Sequence, residues 1–267
     1  MSTLPAPRHA DRRIGGIALI VALSVAAWAV LALWSVSPYA RYVSHPGWSD
    51  GAWQQLCRAL PRGDIVLPAL LHAFAWMLMI AAMMLPTVLP LARMFRRLTA
   101  SRADAGALLA LLVAGFFVAW LAFGLVAHLA DAGAVAIAVR SDWLALHGWA
   151  VAAAVLALAG VFQFSALKYR CLDACRTPFA FITARWHGRT PLRDALRIGF
   201  DHGVFCVGCC WALMLVMFVV GLGSIGWMLA LAAAMAAEKN APWGRHVRTP
   251  LGIALIAWAG AIVFTAL

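Results

Sequence analysis

The stretch 202–220 reads HGVFCVGCCWALMLVMFVV. It is long and apolar enough to predict a membrane-spanning helix, which we place at 204–222. Three cysteines, Cys206, Cys209 and Cys210, fall within five positions of this helix. Because residues three and four apart share one face of a helix, the three thiols are expected to lie together.

The same predicted face carries more potential metal ligands. His202 lies one turn before Cys206, and Met214 and Met217 lie one and two turns after Cys210. Thiolate and thioether ligands together select soft metals, above all cuprous copper. We therefore expect copper as the bound metal, with zinc as the alternative, since thiolates also suit zinc.

The composition predicts an all-α polytopic membrane protein. Of the 267 residues, 65% are hydrophobic and only 12% are charged, and several apolar runs exceed the length of a membrane span. The net charge of +11 does not indicate nucleic acid, because the basic residues lie between the apolar runs. The seven predicted spans are 14–34, 66–91, 107–129, 149–167, 204–222, 224–237 and 251–267, the sixth being short or re-entrant.

Charge between the spans predicts the orientation. With the N-terminus in the cytoplasm, 17 of the 21 Lys and Arg residues fall on the cytoplasmic side, as the positive-inside rule requires. We predict a single multi-pass domain, 1–267, in the bacterial inner membrane. It has a periplasmic loop at 35–65 and a cytoplasmic loop at 168–203 with an interfacial helix near 190–200.

Other candidate ligands fall at the cytoplasmic level of the bundle in this topology. Met83 and Met84 end the second span, Cys171 and Cys175 follow the fourth, and Glu238 closes the sixth. These residues belong to segments far apart in sequence, but all are predicted at the same depth in the membrane. This favours one common metal site. The alternative for each methionine is packing, because methionine often fills gaps in apolar cores, and Glu238 also has the alternative of an ion pair with its neighbour Lys239.

Several motifs resemble those of one bacterial family. They are Trp76-Met77-x-Met79, Ala82-Met83-Met84-x-Pro86, Lys168-Tyr169-x-Cys171-x-x-x-Cys175-Arg176-x-Pro178, His202-Gly203-x-x-Cys206-x-Gly208-Cys209-Cys210-Trp211 and Glu238-Lys239. The family is that of the predicted metal-binding integral membrane proteins, a polytopic domain of unknown function, and the resemblance covers roughly 70–240. It implies an inner-membrane protein that binds metal, with a link to copper handling, but no established reaction.

Three functions remain open at this point. The favoured hypothesis is a membrane protein that stores, delivers or transports cuprous ion and that is not an enzyme; its partners are the lipid bilayer and a metallochaperone or cuproprotein. The second is a membrane thiol–disulfide oxidoreductase, because Cys206 and Cys209 have the spacing of a redox pair at a helix start. The third is a subunit of a metal- or haem-bearing membrane enzyme.

Overall fold

The computed structural model describes residues 9–36, 66–141, 143–144, 147–221 and 224–266. These residues form α-helices and short turns, with no strand among them. The helices are α1 (His9–Ser35), α2 (Val66–Met83), α3 (Leu89–Leu98), α4 (Ala105–Arg140), α5 (Gly148–Phe162), α6 (Ala166–Arg176), α7 (Pro178–Thr183), α8 (Pro191–Val220), α9 (Ile225–Asn240) and α10 (Gly244–Ala266). A short 3-10 helix, Leu85–Val88, joins α2 to α3.

Four helices, α1, α4, α8 and α10, are long and apolar enough to cross a membrane. Two further candidate spans are bent: the chain turns by 49° between α2 and the segment Leu85–Leu98, and by 62° between α5 and α6. The protein is therefore an all-α polytopic membrane protein, as predicted, with four to six candidate spans in its described part.

The predicted sixth span, 224–237, corresponds to α9, which is not among these candidates. Its 16 residues cover about 24 Å at 1.5 Å per residue, less than the ~30 Å hydrocarbon core of a bilayer. The count of seven spans and the orientation of the N-terminus stay predictions.

Two predicted segments differ from the structure or lie outside it. The interfacial helix expected near 190–200 is not separate, because α8 begins at Pro191 as predicted but continues unbroken to Val220. No proline follows within 192–220 to interrupt it, and Ala195 and Ile198 are buried in the bundle. The predicted periplasmic loop, 35–65, lies outside the described residues except for its first two positions.

The central helix, α8, makes its most extensive contact with α4. Glycines allow the two backbones to meet: a Cβ added at Gly199 would collide with the carbonyl of Leu112, and one at Gly115 with the carbonyl of Leu196. A Cβ at Gly203 would lie 3.0 Å from the backbone oxygen of the α4 residue Phe116. Small residues at such crossings are typical of membrane helices, which associate mainly through close packing.

A buried ion pair joins α6 to α9. Lys168 and Glu238 are almost fully buried, and the Lys168 ammonium lies 2.8 and 3.0 Å from the two carboxylate oxygens. The Lys168 ammonium also donates to the side-chain carbonyl of Gln163. The guanidinium of Arg176 donates to the backbone carbonyls of Glu238 and of Ala241, at the C-terminal end of α9. These contacts fix the last turn of α9 against α6.

We predict that Gly199→Ala destabilises the protein, because its methyl group meets the Leu112 carbonyl at the α4–α8 crossing. Overpacking of this kind costs about 1–3 kcal/mol, more than the ~1 kcal/mol that alanine gains over glycine in a helix. Gly133→Ala, in α4, is the control, because nothing lies within 4 Å of the added atom. Thermal unfolding of the detergent-solubilised variants measures the difference, and equal melting temperatures would contradict the close crossing.

We predict that Lys168→Met lowers the free energy of unfolding by about 3–5 kcal/mol, because the Glu238 carboxylate stays buried without its counter-charge. Asp173→Asn is the matched control: it breaks an ion pair with Arg245 at 2.7 Å in which both side chains are more than half exposed. Exposed pairs contribute about 0–1 kcal/mol. Unfolding in denaturant measures both losses, and adding Glu238→Gln to Lys168→Met should recover part of the first. Similar small losses in the two single variants would show that the buried pair has no special role.

Candidate metal centre

The cysteine stripe of α8 faces the core of the bundle. Cys206, Cys209 and Cys210 are each at most 1% exposed. The thiols of Cys209 and Cys210 both donate to the backbone carbonyl of Cys206, at 3.1 and 2.8 Å. This shared acceptor draws the two sulfur atoms to the same side of the helix, as the spacing of the cysteines predicts.

Met84, the residue that follows α2, brings a thioether to this stripe. It is fully buried, and its sulfur lies 3.9 Å from the Cys210 sulfur. Met84 stands where the chain bends, just before Pro86, and the Thr87 hydroxyl donates to its carbonyl at 2.7 Å. Since a proline lacks an N–H and disfavours helix in the residue before it, the break is expected at this point. The bend directs the Met84 side chain inward.

The helix α6 supplies a fourth thiol. The Cys175 thiol interacts with that of Cys209 across the α6–α8 contact. One turn earlier on α6, Cys171 lies against Gly208 of α8, where an added Cβ would come within 2.6 Å of the Cys171 sulfur. We call Met84, Cys175, Cys206, Cys209 and Cys210 the sulfur cluster.

A lysine lies within the sulfur cluster. The Lys239 side chain is 6% exposed, and its ammonium lies 2.9 Å from the sulfur of Cys206, 3.6 Å from that of Met84 and 3.8 Å from that of Cys210. From the sequence, Lys239 is one of the basic residues that predict the cytoplasmic side, or a partner of Glu238. The signal that points to a further role is that a charged residue within an apolar membrane bundle is a functional-site candidate by default.

The carboxylate of Glu238 points away from the sulfur atoms that it was predicted to join as a metal ligand. Its carboxylate is held by Lys168, so the suggested ion pair with its neighbour Lys239 is wrong. Consecutive residues of a helix point about 100° apart, and Lys239 therefore turns towards the sulfur atoms while Glu238 turns towards α6. Lys168 and its partner Gln163 were not among the predicted site residues.

The remaining predicted ligands are close to the cluster residues in sequence, but their side chains pack against other groups. His202 is buried between the aromatic rings of Phe116 and Phe181, with ring centroids 6.2 and 5.4 Å away, and its Nδ1 makes no hydrogen bond with any described residue. The side chains of Met83, Met214 and Met217 are buried in the apolar core.

The donor atoms fit a soft metal better than a hard one. Four thiols and one thioether lie together, all of them buried except the half-buried Cys175, and thiolate and thioether are the ligands that select cuprous ion. No carboxylate belongs to the set, since Glu238 is held by Lys168. Within the described residues, no three His, Cys, Asp or Glu side chains are arranged to hold one metal ion together, and the ammonium of Lys239 lies among the sulfur atoms. A metal in this place would require that ammonium to withdraw.

Comparison with known proteins gives one informative match. None of the curated proteins and none of the solved structures that were compared matches the chain. The family model PpoB2, described as copper chaperone, matches residues 73–262, well over half of the chain and the whole sulfur cluster. This agrees with the metal-binding and copper expectations from the sequence, although the family name differs from the one that the motifs indicated. The chain therefore belongs to the PpoB2 family of copper chaperones.

Proposed function

We propose that this protein is a membrane copper chaperone that binds cuprous ion in the sulfur cluster and passes it to a cuproprotein. The observation that carries the proposal is the meeting of sulfur atoms from Met84, just after α2, from α6 and from α8 within the region that matches the copper-chaperone family. Delivery follows from the family description; the ligands and the oxidation state follow from the chemistry of the donors.

The thiols of Cys206, Cys209 and Cys210 would be the main ligands, with the thioether of Met84 as a weaker one. Burial separates the metal from water, and sulfur ligands stabilise the reduced, monovalent ion against the harder divalent one. Cys171 and Cys175, which a single helical turn separates on α6, would serve as the outer ligands.

Cys175 would be the point of exchange with a partner. It is half-buried, whereas the other four described cysteines are buried. A thiol that reaches from the cluster towards the surface can hand the ion on by ligand exchange, in which a partner thiolate binds before the Cys175 thiolate leaves. The positive-inside distribution of charge places this end of the bundle at the cytoplasmic face of the bacterial inner membrane in our proposal.

Removing two thiols should abolish copper binding. In Cys209→Ser/Cys210→Ser the hydroxyl groups keep a similar size but are poor ligands for a soft metal. Titration of purified protein with cuprous ion under anaerobic conditions, against a chromophoric chelator, measures the affinity. Cys57→Ser is the control, because the sequence predicts Cys57 in the loop on the opposite side of the membrane.

The same titration separates copper binding from thiol–disulfide chemistry. Full copper affinity in the double serine variant would overturn the proposed site. The oxidoreductase would be favoured instead if the parent protein failed to bind copper but lost two titratable thiols on mild oxidation. In that case Cys206→Ser should prevent the loss of the thiols.

The thioether should matter for copper but not for zinc. We predict that Met84→Leu weakens cuprous affinity about tenfold, or ~1.4 kcal/mol, and leaves zinc affinity unchanged, because thioethers contribute little to zinc sites. Leucine keeps approximate volume, and such core exchanges cost less than about 1.5 kcal/mol, so the fold should survive. Met77→Leu, in α2, is the matched control, since Met77 is only half-buried. Equal copper affinity in the two variants would assign Met84 to packing.

A further inference from the structure

The ammonium of Lys239 is surrounded by sulfur. Its three sulfur neighbours come from two different segments: Met84 directly follows α2, and Cys206 and Cys210 belong to α8, at 2.9 to 3.8 Å. A lysine ammonium has three donors and no acceptor. Lys239 therefore places one positive charge beside the donor atoms of the proposed copper site.

No carboxylate neutralises this charge in the described part of the chain. The ion pairs found there do not include Lys239, and the adjacent carboxylate, Glu238, binds Lys168 through both of its oxygens. A buried charge is costly unless it has a partner of opposite sign. The groups that can supply that sign here are the thiolates of the sulfur cluster.

We propose that Lys239 is a specificity-determining residue that makes the sulfur cluster prefer monovalent over divalent metal ions. This inference rests on the proposed function and adds the residue that sets the charge of the accepted ion. Two thiolates with a cuprous ion carry one net negative charge, which the ammonium neutralises. The same two thiolates with a divalent ion are already neutral, so the ammonium adds an unbalanced positive charge to a buried place.

The preference does not depend on how many thiolates bind. Attraction between the ammonium and the thiolates is the same for either metal, whereas repulsion between the ammonium and the metal doubles with the charge of the ion. Coulomb interactions over distances of about 4 Å are strong where water is excluded. Lys239 therefore lowers the affinity for a divalent ion relative to a monovalent one, whatever the coordination number.

Silver and cadmium ions separate charge from softness, because both are soft and stable to oxidation but differ in charge. Binding of Ag⁺ and Cd²⁺ is measured by competition titration on the full-length protein in detergent or nanodiscs, together with cuprous ion and zinc. The parent protein is expected to prefer Ag⁺ over Cd²⁺. Lys239→Gln, which is one atom shorter but stays polar and removes the charge, is expected to reduce the Ag⁺/Cd²⁺ affinity ratio at least tenfold. Lys239→Arg, which keeps the charge, is expected to retain the ratio to within about threefold.

The outcomes are distinct. An unchanged ratio in a folded Lys239→Gln variant, with copper binding intact in the parent, would overturn the specificity role alone. Failure of the parent to bind cuprous ion or Ag⁺ at all would overturn the proposed function and this inference with it. If the Gln variant does not fold, the parent still provides a test, because equal binding of Ag⁺ and Cd²⁺ by the parent would also overturn the inference. Thermal unfolding in the absence of metal verifies folding.

Discussion

The contact between the backbones of α4 and α8 determines which way the three cysteines of α8 point. Lipid tails are as apolar as the helices, so membrane helices associate through close packing rather than through exclusion of water. Gly199 and Gly203 provide that packing against α4, and they precede Cys206 and Cys210 at helical spacings on the same face of α8. Because the glycine end of this face is fixed against α4, the cysteine end can only point into the bundle, towards α2, α6 and α9.

The buried pair of Lys168 and Glu238 adds the second constraint. It holds the last turn of α9 against α6, and the residue after Glu238 then points towards α8. An ion pair in this place is not needed for stability as such, since buried pairs often gain little over apolar residues. Its effect here is positional: it uses the one nearby carboxylate and leaves Lys239 with sulfur as its neighbours. The site therefore has a positive side chain and soft donors but no oxygen ligand.

The sequence was sufficient for the features that depend on local periodicity. Apolar runs predict the helices, and the spacing of Cys206, Cys209 and Cys210 predicts their common inward face, because both depend only on the geometry of a single helix. Met83 and Met84 were both predicted as candidates, because they end the second predicted span at the depth of the cysteines. The polar residues of 191–200 predict an interfacial segment, and in the structure the helix that begins at Pro191 continues to Val220.

The contacts between distant parts of the chain could not be predicted in the same way. The partners Lys168 and Glu238 are 70 positions apart, and a single sequence contains no signal that pairs them. Lys239 was counted among the basic residues that indicate the orientation of the chain, because most basic residues of a membrane protein lie outside the bilayer. Met83 and Met84 are both buried, and which of these two adjacent side chains meets the cysteines depends on the bend that follows α2.

A chaperone must release its metal as well as bind it, and the arrangement around Lys239 bears on that requirement. Release of cuprous ion from buried thiolates would be costly if it left unpaired negative charges in the core. The ion would then not pass to a partner. In the structure the Lys239 ammonium lies within reach of Cys206, Met84 and Cys210, so it can donate to these sulfur atoms when no metal is present. The same positive charge that would favour a monovalent ion would then limit the cost of an empty site. In the proposed function, Lys239 therefore reduces the free-energy difference between the loaded and the empty protein, and this allows a partner with thiols of similar affinity to take the ion.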